Sequence, residues 1–432
     1  MSDELFADVA RRAADDAAGR DGAPRYETAN RTQLELTPTD LEALLPPGHA
    51  ARLVWRFVEG LALEPFYAAI RARQGRAGRP AIDPKILIAL WLYATIDGVG
   101  SAREVDRLCY AHDAYRWLRG GVSVNHHTLS DFRVGHQAAL DQLLTHSITA
   151  LLHQRVVTLN RVTQDGTKIR AGAGVRSFRG RERLEACQQM ARQQVARTRA
   201  QMTGDGPARA AATQARAAAE KLARVDAALA QLPEVEAAKK RNGTTSEART
   251  STTDPDARVM KMPDGGYRPA YNVQFATDVE GRAIVGVAVT NGGEQAALVP
   301  MLKQVQQRTG QRPEAWLVDG GYVSTDGIEG VAAQQVPLYA PVPTGPHAPG
   351  GGKTPPSPAV AAWRTRMASD AAKTQYRVRS ATAERINADA KTHRALRVIP
   401  VRGLVKVHTW ALWAALAINV LRVMEIVPHQ MM

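Results

Sequence analysis

Asp165, in the run Val162-Thr-Gln-Asp165, is followed by Gly166-Thr167-Lys168, and Asp319, in Ala315-Trp-Leu-Val-Asp319, is followed by Gly320-Gly321-Tyr322. Both runs have the make-up of short strands, which sets the two carboxylates where strand gives way to loop. Ligands gather at the carboxyl ends of strands in open α/β sheets, and glycine there lets a backbone or a substrate approach closely. A third carboxylate, Glu384, falls within a helical pattern over residues 371–394. Arg377, Glu384 and Lys391 recur at equal spacing and align within about 20° on one helical face. An acid between two bases on one face suits metal and phosphate. Three carboxylates without a cysteine or histidine set favour a hard, oxygen-loving cation, Mg²⁺ or Mn²⁺, over zinc. Two such ions about 3.5–4 Å apart would activate a water or a 3′-hydroxyl and stabilise the leaving oxygen of an in-line phosphodiester displacement. The competing reading makes each Asp-Gly an ordinary turn and Glu384 a solvated helix residue.

The elements that must position these groups belong to a chain of 432 residues, 44% hydrophobic and 23% charged. That composition is globular and excludes disordered and collagen-like polymers. Cys109 and Cys187 are the only cysteines, which excludes a disulfide scaffold and a thiolate zinc cluster and suits a reducing compartment. The Met1-Ser-Asp-Glu opening lacks the basic and then apolar order of a secretory signal, so export is not expected and a cytoplasmic protein is. Asn419, Arg422 and Glu425 interrupt the most apolar stretch, Thr409 to Val427, which therefore reads as a buried helix and not a membrane span. The formal net charge is +14, and residues 161–200 and 363–432 carry +7 and +8. A basic surface of this kind fits a phosphate polymer or an anionic membrane.

Residues 1–35 read as a flexible tail. From 36 to 154 apolar residues recur at helical spacing, as in Ile86-Leu87-Leu90-Tyr93-Ala94. Asp83-Pro84 and Ser101-Ala-Arg-Glu104 are helix-start signals, and Asn125–Gln137 is the candidate recognition helix, with Arg133 placed to reach DNA. Arg71, Arg73, Arg76 and Arg79 form an arginine-rich arm that suits a minor groove or a plain interhelical loop. After Arg155 the β-branched runs Val156-Val157-Thr158 and Val162–Asp165 open a second domain, 155–432. A helical hairpin, within an insertion over about 178–250, is broken at Gly204–Pro207 and near Pro233. Tyr271–Phe275 and Ile284–Val289 form a hairpin, followed by a helix over 295–307, a strand over 315–319, a helix to about 335 and a short strand over 336–339. A Pro- and Gly-rich loop over 341–357 precedes helices at 371–394 and 404–427. The result is an α/β fold with a mixed sheet.

Four motifs in order make the chain resemble a DDE transposase of bacterial insertion sequences. They are Thr163–Ile169, Asp254–Lys261 leading into Tyr271–Phe275, Trp316–Tyr322, and Arg379–Glu384 with Arg402–Lys406. The helical segment with Asp83–Lys85, Ser101–Arg103 and Asn125–Arg133 is similar to that family's N-terminal DNA-binding region. The resemblance implies a ribonuclease-H-like catalytic domain with Asp165, Asp319 and Glu384 as catalytic, metal-binding triad, holding two Mg²⁺ or Mn²⁺ ions. It further implies transposon-end and target DNA as partners, a homodimer in the synaptic complex, and neither a membrane nor a small-molecule cofactor. The glutamate helix of the family carries tyrosine, arginine, glutamate and lysine. Tyr376, Arg379, Glu384 and Lys391 reproduce the first and last intervals, but Arg379 falls about 140° from Glu384 while Arg377 shares its face. Which arginine meets DNA therefore stays open. Lys168 follows the first aspartate closely enough to touch a phosphate or to be a plain surface charge. The alternatives are a domesticated DNA-binding protein without catalysis and a related nuclease without strand transfer.

Asp254 and Asp256 flank Pro255 and read as turn formers. His126 and His127 lack acidic neighbours in sequence, which favours capping or DNA contact over metal binding. Trp410 and Trp413 lie about one turn apart in an apolar helix and read as core.

Overall fold

The computed structural model describes residues 38, 40–70, 72, 80–201, 208–241, 243–345, 348–351 and 355–426. The 1–35 tail, the arginines at 71, 73, 76 and 79 and the break at 204–207 lie outside the described residues.

Helix starts in the first part of the chain follow their capping chemistry. α1 (Ala50–Glu59) is capped by His49, and α2 (Glu64–Ala68) follows. Asp83 Oδ1 accepts from the Lys85 N–H at 2.9 Å and Pro84 takes the first helical position of α3 (Pro84–Ile96). Residues 86 to 95 of α3 are all buried, so this helix is an interior post and has no polar face. Ser101 caps α4 (Ala102–Ala111), which is followed by α5 (Asp113–Arg119). Asn125 Oδ1 accepts from the Thr128 N–H at 2.9 Å to open α6 (His126–Gly135), and α7 (Gln137–His153) closes the series.

The sheet is built around β5 (Tyr267–Asp278). β1 (Val162–Arg170) pairs antiparallel along one side of it, with Asp165 opposite Phe275. β4 (Arg258–Lys261) and β6 (Ile284–Thr290) pair antiparallel with β5. Beyond β1 lie β7 (Trp316–Leu317) and β8 (Leu338–Tyr339), both parallel. The mixed sheet matches the expected one, but β1 runs past Asp165 to Arg170. Asp165 therefore sits in mid-strand, and not at a strand end. The twelve-residue β5 supplies a ladder for the whole length of β1, and Thr167 and Ile169 bury alternate positions, so Gly166 does not end the strand. Residues 156–158 form no strand.

A two-stranded ribbon, β2 (Phe178–Arg179) with β3 (Thr250–Ser251), closes the base of the inserted hairpin α8 (Arg181–Gln201) and α9 (Ala208–Arg241). Pro233 lies inside α9 and does not break it. One lost backbone bond is offset where Ala228 and Leu232 pack on Leu184. α10 (Leu298–Thr309), α11 (Thr325–Ala333) and α12 (Pro358–Ala368) follow, the last started by Ser357 and unanticipated from the sequence. α13 (Asp370–His393) and α14 (Leu404–Ile426) end the described chain.

α14 packs on α3, α7 and β6 at once. It is long and apolar enough to cross a membrane by length and composition, yet it is mostly buried inside the protein as a core helix. Trp410 and Trp413 lie in that core, as expected. Asn419, 1% exposed, donates from Nδ2 to the Ile284 carbonyl at 2.9 Å and accepts the Ile284 N–H at 2.7 Å. This one side chain satisfies both backbone groups of a buried strand residue. Asn419→Ala orphans them and lowers unfolding free energy by about 2–4 kcal/mol, to be read by urea denaturation. A loss below about 0.5 kcal/mol contradicts this role for the side chain.

Candidate active site

Strand β1, the turn after β7 and helix α13 bring Asp165, Asp319 and Arg379 together. Arg379, 214 residues from Asp165, donates to its Oδ1 at 2.7 Å, and Asp319 Oδ2 lies 3.6 Å from the same guanidinium nitrogen. The guanidinium also hydrogen-bonds the half-buried Tyr376. Asn387 Nδ2 donates to Asp165 Oδ2 at 2.8 Å, so both oxygens of that carboxylate are held from α13. Asp319 is fixed from its own side, because its Oδ1 accepts the Gly321 N–H at 2.8 Å as the cap of the short turn Gly320–Tyr322. Burial pushes the Asp165 carboxyl pKa up and Asp319 adds to this, while Arg379, Gly166 and Asn387 pull it down. Lys391 is close enough for Asp165 to support its charge against the burial that lowers its pKa.

A second ring of groups surrounds this pair. Glu294, which follows Gly292-Gly293 after β6, points toward Asp319 and is hydrogen-bonded by Asn272 of β5. Its pKa is raised first by burial and then by Asp319, with Lys168 opposing. Tyr322, fully buried, has no hydrogen-bond partner for its hydroxyl among the described residues, and it feels the charges of Glu294, Asp165, Asp319 and Arg379.

The expected third carboxylate is placed differently. Glu384 is exposed on α13, where Ser380 Oγ donates to its Oε1 at 2.8 Å. At 100° per residue it stands about 140° from Arg379 and about 60° from Asn387, the residues that face Asp165. Arg377, on the same outward face, is exposed as well. Of the two arginines left open by the sequence, Arg379 enters the site. Among the described residues no three His, Cys, Asp or Glu side chains close around a common point as a finished metal cage. The donor set nevertheless fits a hard divalent ion: carboxylates converge, a buried hydroxyl is unpartnered, and the space beside Gly321 is one that a Cβ would fill.

Sequence reasoning missed Glu294, Asn387, Asn272 and Tyr322. Gly292-Gly293-Glu294 just past a strand has the same texture as Asp319-Gly320-Gly321, and Asn387 lies two turns beyond Arg379; both were available signals.

Arg133, expected to reach DNA, is 6% exposed. Its guanidinium lies between the rings of Trp91 and Trp410, 4.2 and 3.9 Å from their centroids, and it donates to the Gly100 carbonyl. The correction has a physical reason: an arginine at this point of α6 faces α3 and α14, and two indole faces replace the water it loses. Trp413 Nε1 fixes the same turn by donating to the Arg133 carbonyl at 3.0 Å. His126 meets an acid distant in sequence: its backbone N–H donates to Asp106 Oδ2 at 3.0 Å and its Nδ1 lies 3.3 Å from the same oxygen. Asp254 and Asp256 make turn contacts: Asp254 accepts from the Tyr271 hydroxyl at 2.6 Å and Asp256 from the Leu404 N–H at 2.9 Å, tying a turn to the start of α14.

Two family models match the chain: the transposase domain DUF772 over residues 39–135 and the transposase DDE domain over residues 356–424. The second contains Arg379, Glu384, Asn387 and Lys391. No curated protein and no solved structure matches.

Arg133→Met is expected to lower unfolding free energy by about 2–4 kcal/mol, because both cation–π faces and the bond to Gly100 are lost. The checks are urea denaturation and a gel shift on the folded protein. Unchanged stability with weakened DNA binding instead makes Arg133 a DNA contact.

Proposed function

We propose, for a chain that the two family matches support as a DDE transposase of the insertion-sequence type, that it binds the terminal inverted repeats of its element and catalyses Mg²⁺- or Mn²⁺-dependent strand cleavage and strand transfer. Residues 36–154 serve as the DNA-binding region and 155–432 as the ribonuclease-H-like catalytic region. The observation that carries this reading is the convergence of Asp165 and Asp319 on Arg379, a residue of the segment matched by the DDE model. The sheet, antiparallel on one side of β1 and parallel on the other, supports it. So does a groove of about 570 Å³ whose lining includes Arg103, His126, His127 and Arg397, a basic surface of the kind that takes phosphate.

Asp165 and Asp319 would hold the divalent ions, and the resemblance assigns Glu384 to them as well. Bound there, the ions supply Lewis-acid activation of the attacking oxygen and neutralise charge on the leaving one. The residues of the chain do the rest. Arg379 and Asn387 fix the Asp165 carboxylate from two directions, which sets its orientation before DNA arrives. Lys168, Tyr376 and Lys391 border the cleft and are placed to hold the scissile phosphate, with Arg377 on the outer face of α13 available to flanking DNA. Water attacks at the element's end, and the 3′-hydroxyl so released attacks target DNA, each step breaking one phosphorus–oxygen bond as it forms another. A homodimer on paired ends fits this two-ended reaction.

Asp165→Asn abolishes Mg²⁺-dependent cleavage of an element-end duplex while leaving end binding in place, as read by nicking and gel-shift assays on the same DNA. Wild-type turnover in that variant removes the assignment. Cleavage without joined product, in a strand-transfer assay with a 3′-hydroxyl end and a plasmid target, leaves a nuclease. Specific binding with neither product leaves a DNA-binding regulator.

A further inference from the structure

Glu294 reaches the cleft from a segment that the proposed chemistry does not use. β6 ends at Thr290, the exposed Gly292-Gly293 turn the chain inward, and Glu294 arrives half-buried at the start of the short turn Gln295–Ala297. Its Oε2 lies 2.7 Å, and Asp319 Oδ1 3.0 Å, from the point where a Cβ on Gly321 would sit. Two carboxylate oxygens thus flank one small open space, and glycine at 321 is what keeps it open. Asn272 of β5 braces Glu294, and its own Oδ1 lies 2.6 Å from where a Cβ on Gly166 would sit, so glycine beside Asp165 makes room for the bracing amide.

The independent sign of a ligand is Tyr322. Its hydroxyl is fully buried, feels the charges of Glu294, Asp165 and Asp319, and has no hydrogen-bond partner among the described residues. A buried hydroxyl left without a partner costs free energy unless something else completes its surroundings. Glu384 has none of these relations, being exposed and bonded to Ser380.

We infer that Glu294 is a divalent-ion ligand of this site, joining Asp165 and Asp319 around the ion when it binds the DNA-free protein. The inference rests on reading the cleft as a divalent-ion site. It gives the ion carboxylates from three separate segments of the sheet, β1, the loop after β6 and the turn after β7, and it leaves Glu384 outside the DNA-free site.

The test is titration of the full-length, DNA-free protein with Mn²⁺, following free Mn²⁺ by electron paramagnetic resonance. Glu294→Gln is expected to weaken affinity by about tenfold or more, Glu294→Asp to weaken it less, and Glu384→Gln to leave it unchanged. Gly321→Ala, which keeps all three carboxylates and fills the space between two of them, is expected to weaken it as well. This second variant serves if Glu294→Gln fails to fold, as judged by thermal unfolding without metal. Wild-type affinity in Glu294→Gln and Gly321→Ala, with affinity lost in Asp165→Asn, overturns the inference and leaves the ion site standing. Wild-type affinity in Asp165→Asn overturns both. Loss in Glu384→Gln equal to that in Glu294→Gln also overturns the inference, since it returns the third position to α13.

Discussion

Two carboxylates brought into one half-buried cleft repel each other unless a positive group lies between them. Arg379 is that group. Its side chain is only 11% exposed, and it touches β1 through Asp165, the turn after β7 through Asp319, and Tyr376 of its own helix. This contact and that of Asn387 with Asp165 set the rotation of α13, whose Glu384 stands about 140° from Arg379 and is exposed.

Beneath the carboxylates the sheet is stiffened by polar groups that have no route to water. Gln164, adjacent to Asp165, donates to Gln274 Oε1 at 2.7 Å and to the Ala297 carbonyl at 3.1 Å, and accepts from Trp316 Nε1 at 3.2 Å. One buried amide thus joins β1 to β5, to β7 and to the turn that carries Glu294. The strand that carries Asp165 and the turns that carry Asp319 and Glu294 are thereby tied to one buried side chain.

Much of this was legible in the sequence, and the failures have specific causes. Caps at Asp83, Ser101 and Asn125, the β5–β6 hairpin and the long helices over 371–394 and 404–427 were readable because local hydrogen-bonding chemistry and periodicity specify them. Asp165 and Asp319 were singled out by glycine after a strand. The length of β1 was hidden because it depends on its partner β5, more than 90 residues later in the chain. Arg133 looked like a DNA contact because arginine on a helix is usually solvated; the tryptophans that enclose it come from positions 91 and 410. Glu294 and Asn387 were missed for a related reason: the glycine pair and the helical spacing that mark them acquire meaning only when the fold places them beside a carboxylate.

The burial of α14 among α3, α7 and β6 bears on how the chain is made. Trp413 closes on α6, His408 meets Gln137 at 2.6 Å, and Asn419 clasps Ile284, so residues past 404 finish an interior begun some 270 positions earlier. Emerging from the ribosome, the first helices must wait with an apolar seam open until that last post is synthesised, a delay of tens of seconds at about 5–20 residues per second. A chain that stops before residue 404 lacks the helix that covers this seam.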